Sequence, residues 1–186
     1  MNLPGFIAGA LLATASACTA AAAVERAIHK EVVVAAPVAE VWTAWTTRDG
    51  IRTFFAPDAN VEARSGGAFE IFFNPYGEPG MKGGDGMRVL GVDPQKMLSF
   101  TWNAPPSLPE ARKQQSVVIV RFKPLDAQRT EVTLHHVGWG ETGEWPKAFD
   151  YFDSAWGRVL ANLQKRFESG PMDWEPMLKQ MRGAPR

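Results

Sequence analysis

Cysteine is nearly absent from this sequence of 186 residues, with Cys18 as the single example. Everything that follows Cys18 therefore has no disulfide, no cysteine metal ligand and no thiolate nucleophile. Histidine is almost as scarce, and His29, His135 and His136 do not form the H-x-x-x-H or H-E-x-x-H spacing of a zinc site. We therefore expect the protein to bind no metal ion.

An excess of charge of one sign is also lacking. Lys and Arg together number 20, as do Asp and Glu, so the formal net charge is zero. Without a basic stripe, neither nucleic acid nor an anionic membrane surface is expected as a partner. The glycine-rich segment Gly83–Gly86 lacks the Lys and the Ser or Thr of a phosphate-binding loop, so we expect no cofactor there.

The first residues differ in composition from the rest of the chain. No charged side chain precedes Glu25, and the apolar centre Phe6–Ala13 falls short of the roughly 20 residues of a membrane span. This layout predicts a signal peptide over residues 1–24 and a periplasmic or secreted protein with no stable membrane span. Two alternatives stay open: a lipoprotein signal ending at Cys18, after Ala15-Ser16-Ala17, and a leader that is never processed.

Residues 25–170 have the patterns of one folded domain, followed by a tail over 171–186 with Trp174 as its docking ring. After a β-branched strand, Pro37 precedes apolar residues at the helical positions 38, 41, 42 and 45. Thr47–Gly50 is predicted to end this helix, and Ile51, Phe54 and Phe55 indicate a second short helical turn. Further strands are predicted over residues 59–63, 69–73, 87–92, 98–102, 118–122 and 132–136.

The last predicted element is a helix over Glu144–Glu168, roughly 35 Å long at 1.5 Å per residue. The glycine-rich segment Pro75–Gly86 is predicted to be a mobile loop. Because the strands follow one another rather than alternating with helices, the class is α+β. The long helix is the element large enough to cover the apolar face of an antiparallel sheet.

Several short motifs together carry a family resemblance. They are Ala36–Trp42, Gly66–Phe69, Gly86 through Asp93-Pro94, Leu98–Trp102, Thr133–Trp139 and the helix around Trp156–Leu163. With these residues the chain resembles, over Ile28–Ser169, the START-like (Bet v 1-like, SRPBCC) superfamily, in the branch of the activator of heat-shock-protein-90 ATPase homologue C-terminal domain. The resemblance implies a helix-grip fold, in which a curved antiparallel sheet wraps around the long C-terminal helix and two short helices follow the first strand. It implies a cavity but no universal catalytic residues.

Large aromatic side chains are abundant, with 7 Trp and 11 Phe against 2 Tyr. Such rings either build a thick core or line a pocket, and we expect about half of the candidates to contact a cavity. The candidate ligand-binding residues are nine aromatic side chains, one cation for an anionic head group and one inward-facing histidine. They are Trp42, Phe54, Phe55, Phe72, Trp102, Trp139, Phe149, Phe152 and Trp156, with Arg121 as the cation and His136 as the histidine.

Three functions remain compatible with these patterns. The first is an exported protein, monomeric or homodimeric, that holds a small apolar or amphipathic ligand in a cavity between the sheet and the long helix. The second is a cyclase or hydrolase type of enzyme that uses His136, the weak catalytic candidate, with a carboxylate or Arg121. The third is a protein-interaction domain like the chaperone activator, which the predicted export disfavours. Whether the protein is an enzyme stays open.

Overall fold

The computed structural model describes residues 26–183. The predicted signal peptide, the lipoprotein alternative at Cys18 and the last three residues lie outside this range. In chain order the elements are β1 (Ile28–Val34), α1 (Val38–Thr46), α2 (Arg48–Arg52), β2 (Asp58–Val61), β3 (Phe69–Phe72), β4 (Val89–Asp93), β5 (Met97–Asn103), α3 (Pro109–Arg112), β6 (Gln115–Asp126), β7 (Arg129–Val137), α4 (Trp145–Ser169) and α5 (Glu175–Gly183).

Five strands form an antiparallel sheet in the order β1-β7-β6-β5-β4, and β2 and β3 form a separate two-stranded ribbon. The ribbon pairs with the segment just before β4, where the Phe69 amide donates to the Met87 carbonyl at 2.9 Å. Strict alternation sends one set of side chains inward, as with the buried Val132, Leu134 and His136 of β7. The predicted α+β class and helix-grip fold are confirmed.

Helix α4 covers the inner face of the sheet. Its buried residues recur at helical spacing, from Trp145 through Phe152 and Trp156 to Leu163. An ion pair of 2.8 Å between Lys30 Nζ of β1 and an Asp153 oxygen holds the helix against the edge strand. Helix and sheet thus enclose one packed aromatic and aliphatic core.

The boundary between α1 and α2 differs from the prediction. Thr47 alone interrupts the helix, in an extended conformation, and its hydroxyl accepts a hydrogen bond from the Gly50 amide at 3.0 Å. Thr47 therefore caps α2, which begins at Arg48 inside the predicted break. A Cβ on Gly50 would lie 2.3 Å from the Thr43 carbonyl oxygen, so this tight corner requires glycine.

The chain after α4 is more ordered than a loose tail. The Trp174 indole N–H donates to the Arg52 carbonyl at 2.6 Å, which confirms the predicted docking ring. Beyond Trp174 the chain forms α5, an element that the sequence did not predict. No helix within residues 26–183 combines the length and apolar character that crossing a bilayer requires.

Leu98 of β5 and Leu90 of β4 provide a matched test of which residues form the core. Leu98 is 0% exposed, whereas Leu90 is 47% exposed. We expect Leu98→Ala to lower the free energy of unfolding by about 2–5 kcal/mol, because it leaves a cavity. Leu90→Ala should lower it by less than about 1 kcal/mol. Urea unfolding followed by tryptophan fluorescence measures both, and equal losses would contradict the assignment of the two faces.

Candidate functional site

Two adjoining cavities open where the sheet ends beside α4. The larger, of about 590 Å³, lies between the loop over residues 73–83, the end of β5 and α4. The smaller, of about 360 Å³, lies between α4, Phe55 and Trp174. The side chains that line both are Phe73, Trp102, Tyr151 and Phe152. Because of these shared walls we treat the cavities as a large lobe and a small lobe of one cleft.

Trp102 is the central wall of the cleft. It is the last inward-facing aromatic residue of β5, after Phe100, and only 3% of it is exposed. Its ring stacks on Phe55 at 6.0 Å between centroids and lies 5.5 Å from Trp156. Its indole N–H is buried and has no hydrogen-bond partner among residues 26–183.

Helix α4 contributes a second stripe to the cleft. Tyr151, Ala155, Arg158 and Asn162 line the small lobe and follow one another at intervals of four, three and four residues. This spacing places them on one helix face, beside the stripe that faces the core. One helix therefore closes the core and forms a wall of the cleft.

The loop on the other side of the cleft is fixed by Arg112. Its guanidinium donates to the carbonyl oxygens of Gly80 at 2.7 Å and Gly83 at 2.8 Å, and also to that of Ala104. Asp85, which is 3.6 Å from this guanidinium, accepts hydrogen bonds from the amides of Gly80 and Gly83. Burial lowers the pKa of Arg112, and the Asp85 charge opposes that effect. The loop predicted to be mobile is therefore held by polar contacts of the half-buried Arg112 and Asp85.

Two further features set the position of this loop. A Cβ on Gly84 would lie 3.1 Å from the Trp102 ring, so glycine lets the loop backbone lie directly on the indole. On the other side of the cleft, a Glu144 carboxylate oxygen accepts hydrogen bonds from the amides of Glu110 and Ala111 at 2.8 and 3.0 Å. Glu144 thereby caps α3, the short helix that carries Arg112, rather than its own helix.

His136 lies in the core, not on the cleft wall. The Trp156 indole N–H donates to His136 Nδ1 at 2.9 Å, and His136 Nε2 lies 2.6 Å from the Ser116 hydroxyl. An indole N–H is only a donor, so Nδ1 accepts and Nε2–H donates to Ser116. The Ser116 hydroxyl then donates to the Trp102 carbonyl at 3.2 Å. These four residues form one hydrogen-bonded chain, here called the buried relay.

The buried relay keeps His136 neutral. Burial lowers the pKa of His136 from 6.5 to about 3, because the charged form would lose its hydration. Both ring nitrogens are engaged, so neither is free to accept a proton from a molecule in the cleft. The enzyme hypothesis based on His136 has no geometric support here, since the residue is tied to Ser116 and Trp156 instead of facing a cavity.

The structure brings together a subset of the predicted site residues. Phe55, Trp102, Phe152 and Trp156 line the cleft. Four of the remaining aromatic candidates fill the core or pack against it without lining either lobe: Trp42, Phe54, Trp139 and Phe149. The fifth, Phe72, is half-buried, has Lys82 Nζ 5.5 Å from its ring centroid and also lines neither lobe. Phe72 alternates away from the cleft while Phe73 lines it, since the ribbon strand ends between them.

Arg121 was expected to meet an anionic head group in the cavity and does not. It lies between the inward-facing Val120 and Phe122 and is exposed, so alternation along β6 places it on the outer face of the sheet. His29 and His135 also lie on that face, with Nδ1 of His29 and Nε2 of His135 3.2 Å apart. Across residues 26–183, no three His, Cys, Asp or Glu side chains come together as a metal-binding group.

The sequence reasoning missed several cleft residues: Phe73, Met81, Asn103, Tyr151, Trp174 and Met181. The second stripe of α4 was readable from its spacing, and it would have indicated Tyr151. Met81 and Met181 had no local signal, because they come to the cleft from separate segments that meet only in the folded chain.

The buried relay predicts how stability depends on pH. The folded-state pKa of His136 is lowered, so below pH 6.5 the unfolded chain binds a proton that the folded chain does not. This residue therefore destabilises the fold by about 1.4 kcal/mol per pH unit between pH 6.5 and about 3. His136→Gln should lower the free energy of unfolding by about 1–3 kcal/mol at pH 7, because hydrogen bonds are broken. The variant lacks the histidine that destabilises the wild type as pH falls. Urea unfolding at pH 7 and pH 5 should therefore show the stability difference between wild type and variant narrowing by about 2 kcal/mol.

Imidazole NMR spectra of the wild-type protein provide the control. We expect His136 to keep the neutral Nε2–H form throughout the range in which the protein stays folded. A His136 that titrates near pH 6.5 in the folded state would contradict the buried relay.

Comparison with known proteins agrees with this architecture. A family model described as "Activator of Hsp90 ATPase homolog 1-like protein" matches residues 35–168. No curated protein matches the sequence. Among solved structures, the chain is similar to protein MLL2253 from Mesorhizobium loti, with 22% identity, a TM-score of 0.63, and coverage of 79% of this chain and 100% of that one.

Two further solved structures show the same fold. The Aha1 dimer from Colwellia psychrerythraea has 21% identity and a TM-score of 0.59, covering 78% of this chain and 98% of that one. CalU16 from Micromonospora echinospora has 22% identity and a TM-score of 0.58, covering 84% and 81%. The family match spans more than half of the chain and contains strands β2 to β7, the loop over the cleft and nearly all of α4, while β1 precedes it. The chain therefore belongs to the activator of Hsp90 ATPase homolog 1-like family, the branch of the START-like superfamily that its motifs resemble.

Proposed function

We propose that this protein binds a small apolar or amphipathic molecule in the cleft between the residue 73–83 loop, β5 and α4. The observation that carries this proposal is a concave site of two adjoining lobes, of about 590 and 360 Å³, whose shared walls are four aromatic side chains. Sites of several hundred Å³ with aromatic walls and few polar groups are typical of small-molecule binding.

The distribution of polar groups supports an amphipathic ligand. Asn74, Glu78, Lys82 and Asn103 line the large lobe, whereas the rings that the lobes share form its apolar side. A ligand would place its apolar body against Trp102 and Phe152 and its polar end toward the residue 73–83 loop. The binding site in this proposal lies at the end of the sheet, because the space between sheet and helix is filled by the core.

Binding is better supported than catalysis. The charged side chains that line the cleft are Glu78, Lys82 and Arg158, with no histidine among the described residues of either lobe. A general acid–base mechanism needs a group of suitable pKa within hydrogen-bonding reach of the reacting atoms. His136 is engaged in the buried relay and is not such a group.

A protein-interaction role is the second candidate. Four exposed large side chains, Phe73, Tyr76, Met81 and Tyr151, belong to the cleft or to the loop beside it, so an apolar partner segment would compete for the same surface. The Colwellia relative is a dimer, and for this chain we propose a monomer or a homodimer. Small-molecule binding ranks first because the site is concave rather than flat.

Export through the predicted signal over residues 1–24 remains part of the proposal. Native mass spectrometry of the protein from its own host tests it together with ligand binding. A mass that lacks the first residues supports export, and a mass excess that is lost on denaturation identifies the ligand class. A full-length mass from the cytosolic fraction would contradict export and would favour the interaction role.

A blocked cleft gives the direct test of binding. Ala155 lines the small lobe on α4, and its neighbour Ser154 is exposed on the same helix without lining either lobe. We expect Ala155→Phe to weaken binding of an environment-sensitive apolar fluorophore about tenfold, because the added ring occupies part of the site. Ser154→Phe adds the same ring on the solvent side and should leave the affinity unchanged. Fluorescence titration of both variants and the wild type measures this.

The fluorescence titrations can also overturn the proposed binding function. An absence of saturable binding by the wild type would overturn the proposal, as would equal affinities for wild type, Ala155→Phe and Ser154→Phe. Circular dichroism and urea midpoints of each variant exclude unfolding as the cause of a loss.

A further inference from the structure

The segment after α4 crosses the cleft. We call residues 171–183 the strap. The Met172 amide donates to the Thr53 carbonyl at 2.8 Å, and the Trp174 indole N–H donates to the Arg52 carbonyl at 2.6 Å. These two bonds fix the start of the strap to the end of α2. The family match ends at residue 168, so the strap lies outside the part that defines the family.

The far end of the strap reaches the loop on the opposite side. Arg182 lies 5.8 Å from the centroid of the Tyr76 ring, within the range of a cation–π contact. Met181 lines the large lobe, and Trp174 lines the small lobe. The strap therefore supplies one wall residue to each lobe.

The strap is weakly anchored along most of its length. No residue of α5 is buried within its described range. A helix of nine residues is too short to be stable on its own in water, so α5 depends on the contact of Arg182 with Tyr76, on Met181 at the large lobe and on the anchored start of the strap. An element held by so few contacts opens at small cost compared with the sheet and α4.

The walls also indicate the chemistry of the ligand. Rings face the lobes from four separate parts of the chain: Phe55, Phe73, Trp102 and Trp156, with Trp174 added by the strap. Offset stacking and edge-to-face contacts favour a flat ring system between such walls. A flexible acyl chain gains none of these contacts and loses rotational freedom on binding.

We propose that the strap is the closing element of the ligand site, which opens to admit a planar aromatic molecule and then packs Trp174 and Met181 against it. This inference rests on the proposed binding function. A ligand that contacts Trp174 only in the closed state shifts the strap toward closure and is released slowly.

The experiment uses the full-length chain and two fluorescent probes, the planar 1-aminoanthracene and the acyl-chain probe cis-parinaric acid. We expect the wild type to bind 1-aminoanthracene about tenfold more tightly than cis-parinaric acid. Trp174→Ala removes both the ring and the hydrogen bond to the Arg52 carbonyl. It should lower the affinity for 1-aminoanthracene about tenfold, mainly because the probe dissociates faster, and stopped-flow fluorescence measures that rate.

Matched variants separate the ring from the hydrogen bond. Trp174→Phe keeps an aromatic wall without the indole donor, so its affinity should lie between those of wild type and Trp174→Ala. Gln180→Ala changes an exposed position of α5 that lines neither lobe and should bind like wild type. Met181→Ala, in the large lobe, gives a second test should Trp174→Ala fail to fold.

Each failure has its own signature. If neither probe binds to the wild-type protein, the proposed function itself is overturned. Tighter binding of cis-parinaric acid than of 1-aminoanthracene would overturn the aromatic ligand class while leaving small-molecule binding intact. Equal affinity and equal dissociation rates for wild type, Trp174→Ala and Met181→Ala would overturn the strap as a closing element.

Discussion

The buried relay is the interaction on which the rest of the structure depends. Trp156 of α4, His136 of β7, Ser116 of β6 and the Trp102 carbonyl of β5 are joined by three consecutive hydrogen bonds. A buried polar group without a partner is costly, so the three bonds together favour the observed register of helix and strands. The bond to His136 orients the Trp156 ring, and the bond to the Trp102 carbonyl fixes the β5 backbone from which the Trp102 ring projects; both rings are walls of the cleft. Packing of the core and the shape of the site are thus set by one network.

This arrangement explains why the histidine that looked most like a catalytic residue has a structural role. Holding a neutral imidazole in the core needs one donor and one acceptor at fixed positions, and Trp156 and Ser116 supply them. The resulting low pKa of His136 removes the proton exchange near neutral pH that acid–base chemistry uses. The hydrogen bonds that hold the Trp156 ring therefore also make His136 unreactive near neutral pH, in agreement with the proposed binding function.

The sequence predicted those parts of the fold that arise from local periodicity. Alternation located the long strands and the inward direction of His136, and helical spacing located α1 and α4. The same alternation, applied to Arg121 between Val120 and Phe122, was enough to place it outside the cavity. Other features depend on contacts between distant segments: Glu144 caps α3 from 33 positions away, and Arg112 reaches the Gly80 and Gly83 carbonyls. No local pattern encodes such contacts, so the cleft walls built from separate loops were not predictable.

The floor of the cleft and the strap differ in how strongly they are coupled to the core. Its floor, formed by Trp102, Phe152 and Trp156, lies in the segment that the family shares, and it is tied to the core through the buried relay. A change in the floor therefore disturbs the helix-sheet packing and is costly. Met181 and Trp174 lie beyond residue 168. Met181 belongs to α5, which has no buried residue among those described, so its substitution costs little stability. Under the proposed binding function, the strap is therefore the part of the cleft that can change while the fold and the floor stay the same.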